Sequence, residues 1–301
     1  MRFIHKITQV LKGINEHPLA GKHKFLAYGK LVKWQFSQRL FPCIRKLEFL
    51  NGIHFLAARG MTGITGNIYC GLHEFNDMAF VLHFLREEDL FIDVGANVGS
   101  YTLLAAGVVG ANTISFEPAP ATFEKLKANI ISNDLQAKTN LVNAAVGSKK
   151  GSLHFTTDFD TVNHVLLDDS LITTSTISVP VNTLDEYWKQ GSNQKCLVKI
   201  DAEGFESEVL AGMSNTLADE SLKVIIIELN GSGKRYGYDE KAIKKQISAA
   251  GFSAFTYDPF SRSLSLIEKE GHFNTIYLRD LPFIQERIAT AKKICLFGEC
   301  F

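Results

Sequence analysis

No charge of one sign predominates in this sequence: 32 lysines and arginines stand against 32 aspartates and glutamates. A balanced chain makes no global field toward nucleic acid or an anionic membrane, and nucleic acid is not expected as a partner. Cysteine is scarce, and Cys43, Cys70, Cys196, Cys295 and Cys300 form an odd, scattered set. That argues against a disulfide framework and predicts a reducing, cytoplasmic compartment with buried or idle thiols. Cys295 and Cys300 have a loose metal-like spacing, but no second pair or histidine cluster completes a site, so no metal is expected there. No signal peptide is expected, because MRFIHKITQVLKGINEH scatters charge through its apolar positions and offers no small-residue cleavage site. Long uncharged runs are absent with one exception, residues 94–116, long enough to cross a bilayer. Gly95, Gly99, Gly107 and Gly110 interrupt that run, and Gly110-Ala111-Asn112 reads as a turn. It is therefore expected to be loop, helix, turn and buried strand, with no transmembrane segment. The dinucleotide signature GxGxxG does not occur at the first glycine loop either.

What stands in its place is LFIDVGANVGSY, residues 90–101. A short apolar run ends in Asp93 and passes through Gly95, Asn97 and Gly99 into a helix-compatible stretch, the pattern of a buried strand feeding a nucleotide-binding turn. Glycine at such a turn permits positive φ and lets a ligand approach without a Cβ in the way. Asp93 would repel a pyrophosphate, so the ligand expected here carries positive charge. A second strand over 113–116 ends in Glu117, placed to accept hydrogen bonds from two ribose hydroxyls. Ribose plus a cationic group fits S-adenosyl-L-methionine.

Residues 1 to about 50 are basic and intermittently apolar, and predict a pair of amphipathic helices packed on the main domain, or a lid or homo-oligomer contact. Residues 51–69, with interspersed glycines, suggest short strands leading to Glu74, and Asp77 to Leu85 resumes a helix pattern. After Glu117, Pro120 opens a helix through Ile131. Strands follow at 141–146, 196–200, 224–229, 252–257 and 275–278, with a helix at 241–250 closed by Gly251. A β-rich insertion at 147–185 holds two added strands, near 153–156 and 177–181. The alternation predicts a doubly wound, mostly parallel sheet with ligands at the carboxyl ends of its strands, where Asp93, Glu117, Asn143, Asp201 and Glu228 fall. The expected partition is an N-terminal extension over 1–60, a main domain over 61–285 and a tail over 286–301.

FIDVGANVGSYT, SFEPAPATFEKLKANI, NAAVG, VNTLDEY and above all LVKIDAEGFESEVLAGM followed by VIIIEL resemble the FkbM family of S-adenosylmethionine-dependent methyltransferases, over about two thirds of the chain. The resemblance implies the class I methyltransferase fold, a Rossmann-like seven-stranded sheet whose last strand is antiparallel, and O-methylation of a sugar in a polysaccharide, glycolipid or glycosylated metabolite. It assigns Asp93, Gly95, Asn97 and Gly99 to the methionine end of the cofactor, Glu117 to the ribose, and Asn143 and Ala144 to the neighbourhood of adenine. Glu74 matches a glutamate common in the family, and either closes over the cofactor or caps a turn.

Methyl transfer needs an aligned acceptor oxygen, excluded water and a base for the hydroxyl proton. Asp201, Glu203 and Glu228 are the candidates, with Asp201 first for base or substrate orientation. Glu206 reads better as helix-start compensation, and His154 and His164 are lesser candidates. A magnesium site from Asp201, Glu228 and Asn230 is an alternative similar to that of catechol-type O-methyltransferases. A nicotinamide oxidoreductase would need GxGxxG, while a non-catalytic scaffold of the same fold, or a non-sugar acceptor, stays open.

Overall fold

The computed structural model describes residues 2–156, 165–166, 176–189, 191, 194–267 and 274–301. The N-terminus forms the expected helix pair, α1 (Arg2–Glu16) and α2 (Lys24–Leu40). His17 fixes the turn between them: Nδ1 accepts the backbone N–H of Leu19 and Ala20, and Nε2 donates to the Leu72 carbonyl at 2.7 Å. Burial lowers its pKa, which favours the neutral ring that this pattern requires. A hairpin follows, β1 (Arg45–Leu50) and β2 (Ile53–Ala57), turning through Asn51 and Gly52 at φ 49° and 83°.

The strands expected over the rest of 53–69 are instead a helix, α3 (Thr62–Cys70). Ile64 and Ile68 lie four apart on one helical face, and the glycines interspersed there serve close packing: a Cβ on Gly66 would lie 2.4 Å from the His73 ring. Next, α4 (Phe75–Phe84) is buried along most of its length.

The core then alternates strand and helix: β3 (Leu90–Val94), α5 (Ser100–Leu103) continued by a π-helix over Leu104–Val109, β4 (Asn112–Phe116), α6 (Pro120–Ile131) and β5 (Thr139–Val142). The uncharged run 94–116 is thus loop, helix, turn and strand, and no described helix is long and apolar enough to cross a membrane. The strand expected at 141–146 is split. The chain leaves the main sheet after Val142, and β6 (Ala145–Val146) joins a four-stranded sheet with β7 (Gly151–Thr156), β8 (Val165–Leu166) and β9 (Thr176–Asn182); these last three lie in the insertion, β7 and β9 being the two strands expected there and β8 an addition.

The chain returns through β10 (Cys196–Ile200), α7 (Glu206–Ala211), α8 (Ser214–Ala218), β11 (Leu222–Glu228), α9 (Glu240–Ala249), β12 (Ser253–Asp258), β13 (Ser263–Leu266), β14 (Asn274–Leu278) and α10 (Leu281–Thr290). The main sheet has the order β13-β12-β14-β11-β10-β3-β4-β5. β5, β4, β3, β10 and β11 are parallel, and β14 lies antiparallel between β11 and β12. The expected count was seven; the described sheet has eight strands, because the hairpin partner β13 extends its edge.

Alternate residues of the central strands feed two separate cores, as a sheet covered on both faces requires. Phe91, Leu197, Val224 and Ile226 pack with residues of α4, α6 and α10, while Ile92, Val198, Ile225 and Ile227 pack with those of α7 and α9. From β3 the chain runs outward to β4 and β5 and then returns to the other side of β3 as β10. That reversal opens a crevice at the carboxyl ends of β3 and β10.

The last residues depart from expectation. Cys295 and Cys300 are joined by a disulfide rather than idle, with Cα atoms 4.1 Å apart across the hairpin β15 (Cys295–Leu296) and β16 (Glu299–Cys300). Phe297 and Gly298, at φ 56° and 84°, make the tight turn that brings the two thiols opposite each other. Cys43, Cys70 and Cys196 are free.

Candidate functional site

β3 ends against the crevice, and the turn after it depends on glycine for reasons internal to the protein. At φ 80° a Cβ on Gly95 would sit 1.9 Å from the Asp201 carbonyl oxygen, where the loops after β3 and β10 cross. At φ 95° a Cβ on Gly99 would meet Leu126 of α6 at 2.6 Å. Between them Asn97 donates its backbone N–H to Glu117 Oε2 at 3.0 Å, and Ala119 N–H donates to Glu117 Oε1 at 2.9 Å. Burial pushes the Glu117 carboxyl up to about 7 in spite of these donors. Asn143 braces the same turn from behind, donating to the carbonyls of Glu117 and Pro118 at 2.8 and 3.1 Å.

Two cavities meet in the crevice. The first, about 680 Å³, has walls from Phe116, Ala119, Ala144, Phe155 and Phe205, with Glu117 as its buried acid. The second, about 900 Å³, is lined by Glu74, Asp93, Tyr101 and Lys199, with Gly63 and Asn67 from α3. Gly95, Asn97, Asp201 and Glu203 line both. The fold therefore brings Glu74, Asp93, Gly95, Asn97, Glu117, Ala144, Asp201 and Glu203 to one place. Gly99, Asn143 and Glu228 line neither cavity; Asn143 bonds to the Glu117 carbonyl, Glu228 lies beside Asp201, and Gly99 packs on α6.

The second cavity holds four carboxyls, those of Glu74, Asp93, Asp201 and Glu203, around one ammonium, that of Lys199. Lys199 is the charge inside the apolar strand CLVKI, and β10 pairs it in register with Asp93. Its Nζ lies 3.0 Å from Asp201 Oδ2 and 4.9 Å from the centre of the Tyr101 ring. Burial alone would lower its pKa, but Asp201, Asp93 and Glu74 together push it above the usual lysine range. Tyr101 OH and Asn274 Nδ2 donate to the two oxygens of Glu74 at 2.7 and 2.9 Å. Asp93 accepts the Thr102 hydroxyl on Oδ2 at 2.7 Å, while its Oδ1 is buried without a hydrogen-bond partner among the described residues. Burial raises the pKa of Asp93 as well, against the pull of Lys199.

Glu203 takes a left-handed φ of 50° in the turn after β10, and burial, then Asp201 and Glu228, lift its carboxyl to about 8. Glu228, at the end of the neighbouring strand, is raised to about 7 by burial and by Asp201. Asn230 donates to it at 3.3 Å. Glu206 has the capping part expected of it, accepting the N–H of Ala202 and Gly204 at 3.2 and 3.0 Å. His154 lies on β7 away from both cavities, and His164 falls outside the described residues. Among the described residues no group of three or more histidines, cysteines or acids is disposed to hold a metal ion.

The first cavity suits a flat heteroaromatic group next to hydroxyls that Glu117 can accept. The second suits a cation, because an anion there would face more carboxylate than ammonium. The crevice thus offers hydrogen-bond acceptors and negative charge, which disfavours a pyrophosphate. Sequence reasoning missed Lys199, Tyr101 and Asn274. A lysine inside an otherwise apolar strand was a visible signal for the first of these; the other two had none.

Residues 93–254 match the family described as "Methyltransferase FkbM domain". Hexuronic acid methyltransferase AglP of Haloferax volcanii is 32% identical over 171 residues, 56% of this chain and 65% of that one, so the match spans just under two thirds of that relative's length. Among solved structures, an rRNA methylase from Streptococcus thermophilus aligns with TM-score 0.37 and 13% identity over 68% of this chain and 92% of the other. Precorrin-6y C5,15-methyltransferase from Geobacter metallireducens aligns with TM-score 0.38 and 13% identity over 74% and 91%. The family match begins at Asp93, takes in the glycine turn, Glu117 and the segment from Lys199 to Glu228, and covers more than half of the sequence: the chain belongs to the FkbM methyltransferase family.

Proposed function

We propose that this protein is an S-adenosyl-L-methionine-dependent O-methyltransferase whose acceptor is a hydroxyl of a carbohydrate, in a polysaccharide, a glycolipid or a glycosylated metabolite. The observation that carries this reading is the junction of an apolar cavity containing Glu117 with an acidic cavity, at Gly95, Asn97, Asp201 and Glu203. In it, Glu117 holds the ribose hydroxyls, Ala144 and Phe205 flank the adenine, and Asp93 with Asn97 receives the methionine end. The unpartnered Oδ1 of Asp93 gives an ammonium group an acceptor that nothing else in the described protein uses. Gly99 and Asn143 support the cofactor from the second layer, through α6 and the carbonyls of residues 117 and 118. The bound cofactor supplies an electrophilic methyl group. The relative from Haloferax volcanii acts, by its name, on a hexuronic acid, which supports a sugar acceptor.

The chain's own part is alignment, exclusion of water and movement of one proton. Asp201 reaches both cavities, and Lys199 at 3.0 Å fixes the position of its carboxylate. It takes the acceptor's proton as the new bond to carbon forms. Glu203 and Glu228, raised to about 8 and about 7, carry protons near neutrality and so crowd Asp201 without full like-charge repulsion. Glu74, held by Tyr101 and Asn274, closes the far side of the second cavity. We place the enzyme in the cytoplasm, on the three free cysteines; the Cys295–Cys300 disulfide weighs the other way.

The test is transfer of labelled methyl from S-adenosylmethionine to a panel of uronic-acid and neutral oligosaccharides. Asp201→Asn is expected to lower turnover about 100-fold or more while S-adenosylhomocysteine affinity stays within about 3-fold. Full turnover in Asp201→Asn would remove it as the base. Wild-type transfer to protein or small phenols but to no sugar would refute the acceptor class.

A further inference from the structure

α2 is apolar on two opposite faces, and only one of them is covered. Ala27, Trp34 and Gln38 are buried and Leu31 partly so, a spacing that keeps one stripe of the helix against the body of the protein. Phe25, Val32, Phe36 and Leu40 recur seven and four residues apart on the other side, and are 81%, 65%, 63% and 55% exposed. Phe41 and Ile44 continue the surface beyond the helix at 67% and 70%. Isolated exposed apolar residues need no explanation, but a continuous stripe with three phenylalanines does.

The charge carried by α2 itself has one sign. Lys24, Lys33 and Arg39 are exposed on α2, which contains no acid. Of the chain's 32 basic and 32 acidic residues, ten basic and one acidic fall within residues 1–46, so the rest of the protein is net negative. An apolar stripe flanked by cations on a surface helix fits the boundary of an anionic bilayer, with rings among the upper acyl chains and ammonium groups among the phosphates. Pairing with the same face of a second copy would bring the two basic surfaces together, and like charge opposes that.

We infer that the outer face of α2, with Phe25, Val32, Phe36 and Leu40 flanked by Lys24 and Lys33, docks this protein onto an anionic lipid surface. The helix lies in the plane of the surface and spans nothing. Its inner face rests on α3, where Gln35 donates to the Tyr69 hydroxyl at 2.9 Å, and α3 supplies Gly63 and Asn67 to the second cavity. The docked face is therefore one helix away from the crevice. The inference does not depend on what is methylated there.

Co-sedimentation of the full chain with vesicles of phosphatidylcholine alone, and of phosphatidylcholine with about one third phosphatidylglycerol, tests it at low and high salt. Binding is expected to the anionic vesicles only, and to weaken with salt. Phe25→Ser with Phe36→Ser should weaken it about 10-fold or more, and Lys24→Glu with Lys33→Glu about 30-fold. Both double variants should melt within a few degrees of wild type by circular dichroism, since the replaced side chains are solvent-exposed. The inference is overturned if the wild type ignores anionic vesicles or binds both compositions equally, or if neither double variant changes binding. A wild-type dimer by sedimentation velocity, lost in the phenylalanine variant, would give the face to a second copy instead.

Discussion

The crevice and the outer face of α2 break the ordinary rule of burial in opposite directions. At the carboxyl ends of β3, β4 and β10, Asp93, Glu117 and Lys199 are 1%, 7% and 4% exposed; on α2, Phe25 is 81% exposed. Buried charge costs free energy unless each group is compensated, and exposed phenylalanine gains nothing in an isolated chain. A fold selected for stability alone would keep neither. The comparison teaches that the two violations differ in their ties: the crevice charges are bound into one network, so altering one disturbs the rest, whereas the α2 stripe touches little and can be altered almost freely.

The largest effect should come from the network's single cation. Lys199→Met leaves Asp93 and Asp201 without their counter-charge, and is expected to lower stability by about 3 kcal/mol in urea unfolding. A loss below about 1 kcal/mol would mean the acids are compensated in another way.

The next prediction uses pH. Glu117, Glu203, Glu228 and Asp77 are raised to about 7, 8, 7 and 7, each chiefly by burial. Their folded-state pKa values lie above the unfolded ones, so the folded protein binds protons more tightly. Stability is greater while they are protonated and is lost as pH rises. The melting temperature of the ligand-free protein should therefore fall between about pH 5 and pH 8, and Glu203→Gln should flatten the upper part of that fall. A melting temperature that rises across this window would contradict the assignment of buried, proton-retaining acids.

The smallest effect belongs to the other region. Phe36→Ser should change stability by no more than about 0.5 kcal/mol, whereas a loss of 2 kcal/mol or more would mean that the stripe is covered in the native protein.

Much of this architecture was legible in the sequence because its central strands are short apolar runs with distinct ends. LFIDV, SFEP and VIIIEL each fix a strand and the residue that leaves it, and the KIDAEG segment names a family as well. What escaped depends on partners distant in sequence or on backbone geometry. Lys199 reads as an anomaly until β10 sets it against Asp93, more than a hundred residues earlier. Counting cysteines hid the Cys295–Cys300 pair, because a hairpin turn at Phe297-Gly298 and not the count brings them together. The glycines of α3 suggested short strands, whereas Gly63 and Gly66 are close-packing positions of a helix. The basic N-terminus was legible, but the neutral whole-chain charge concealed that the remainder is net negative.

The central claim is that the Glu117 cavity and the acidic cavity together hold S-adenosylmethionine. Isothermal titration of the wild type and of Glu117→Ala with S-adenosylmethionine and S-adenosylhomocysteine, with NADH as the control, tests it most directly. The account predicts micromolar binding of the adenosyl compounds, weakened about 100-fold or more in the variant, and no NADH binding. Absence of adenosyl binding to the wild type, or NADH binding in its place, would contradict it.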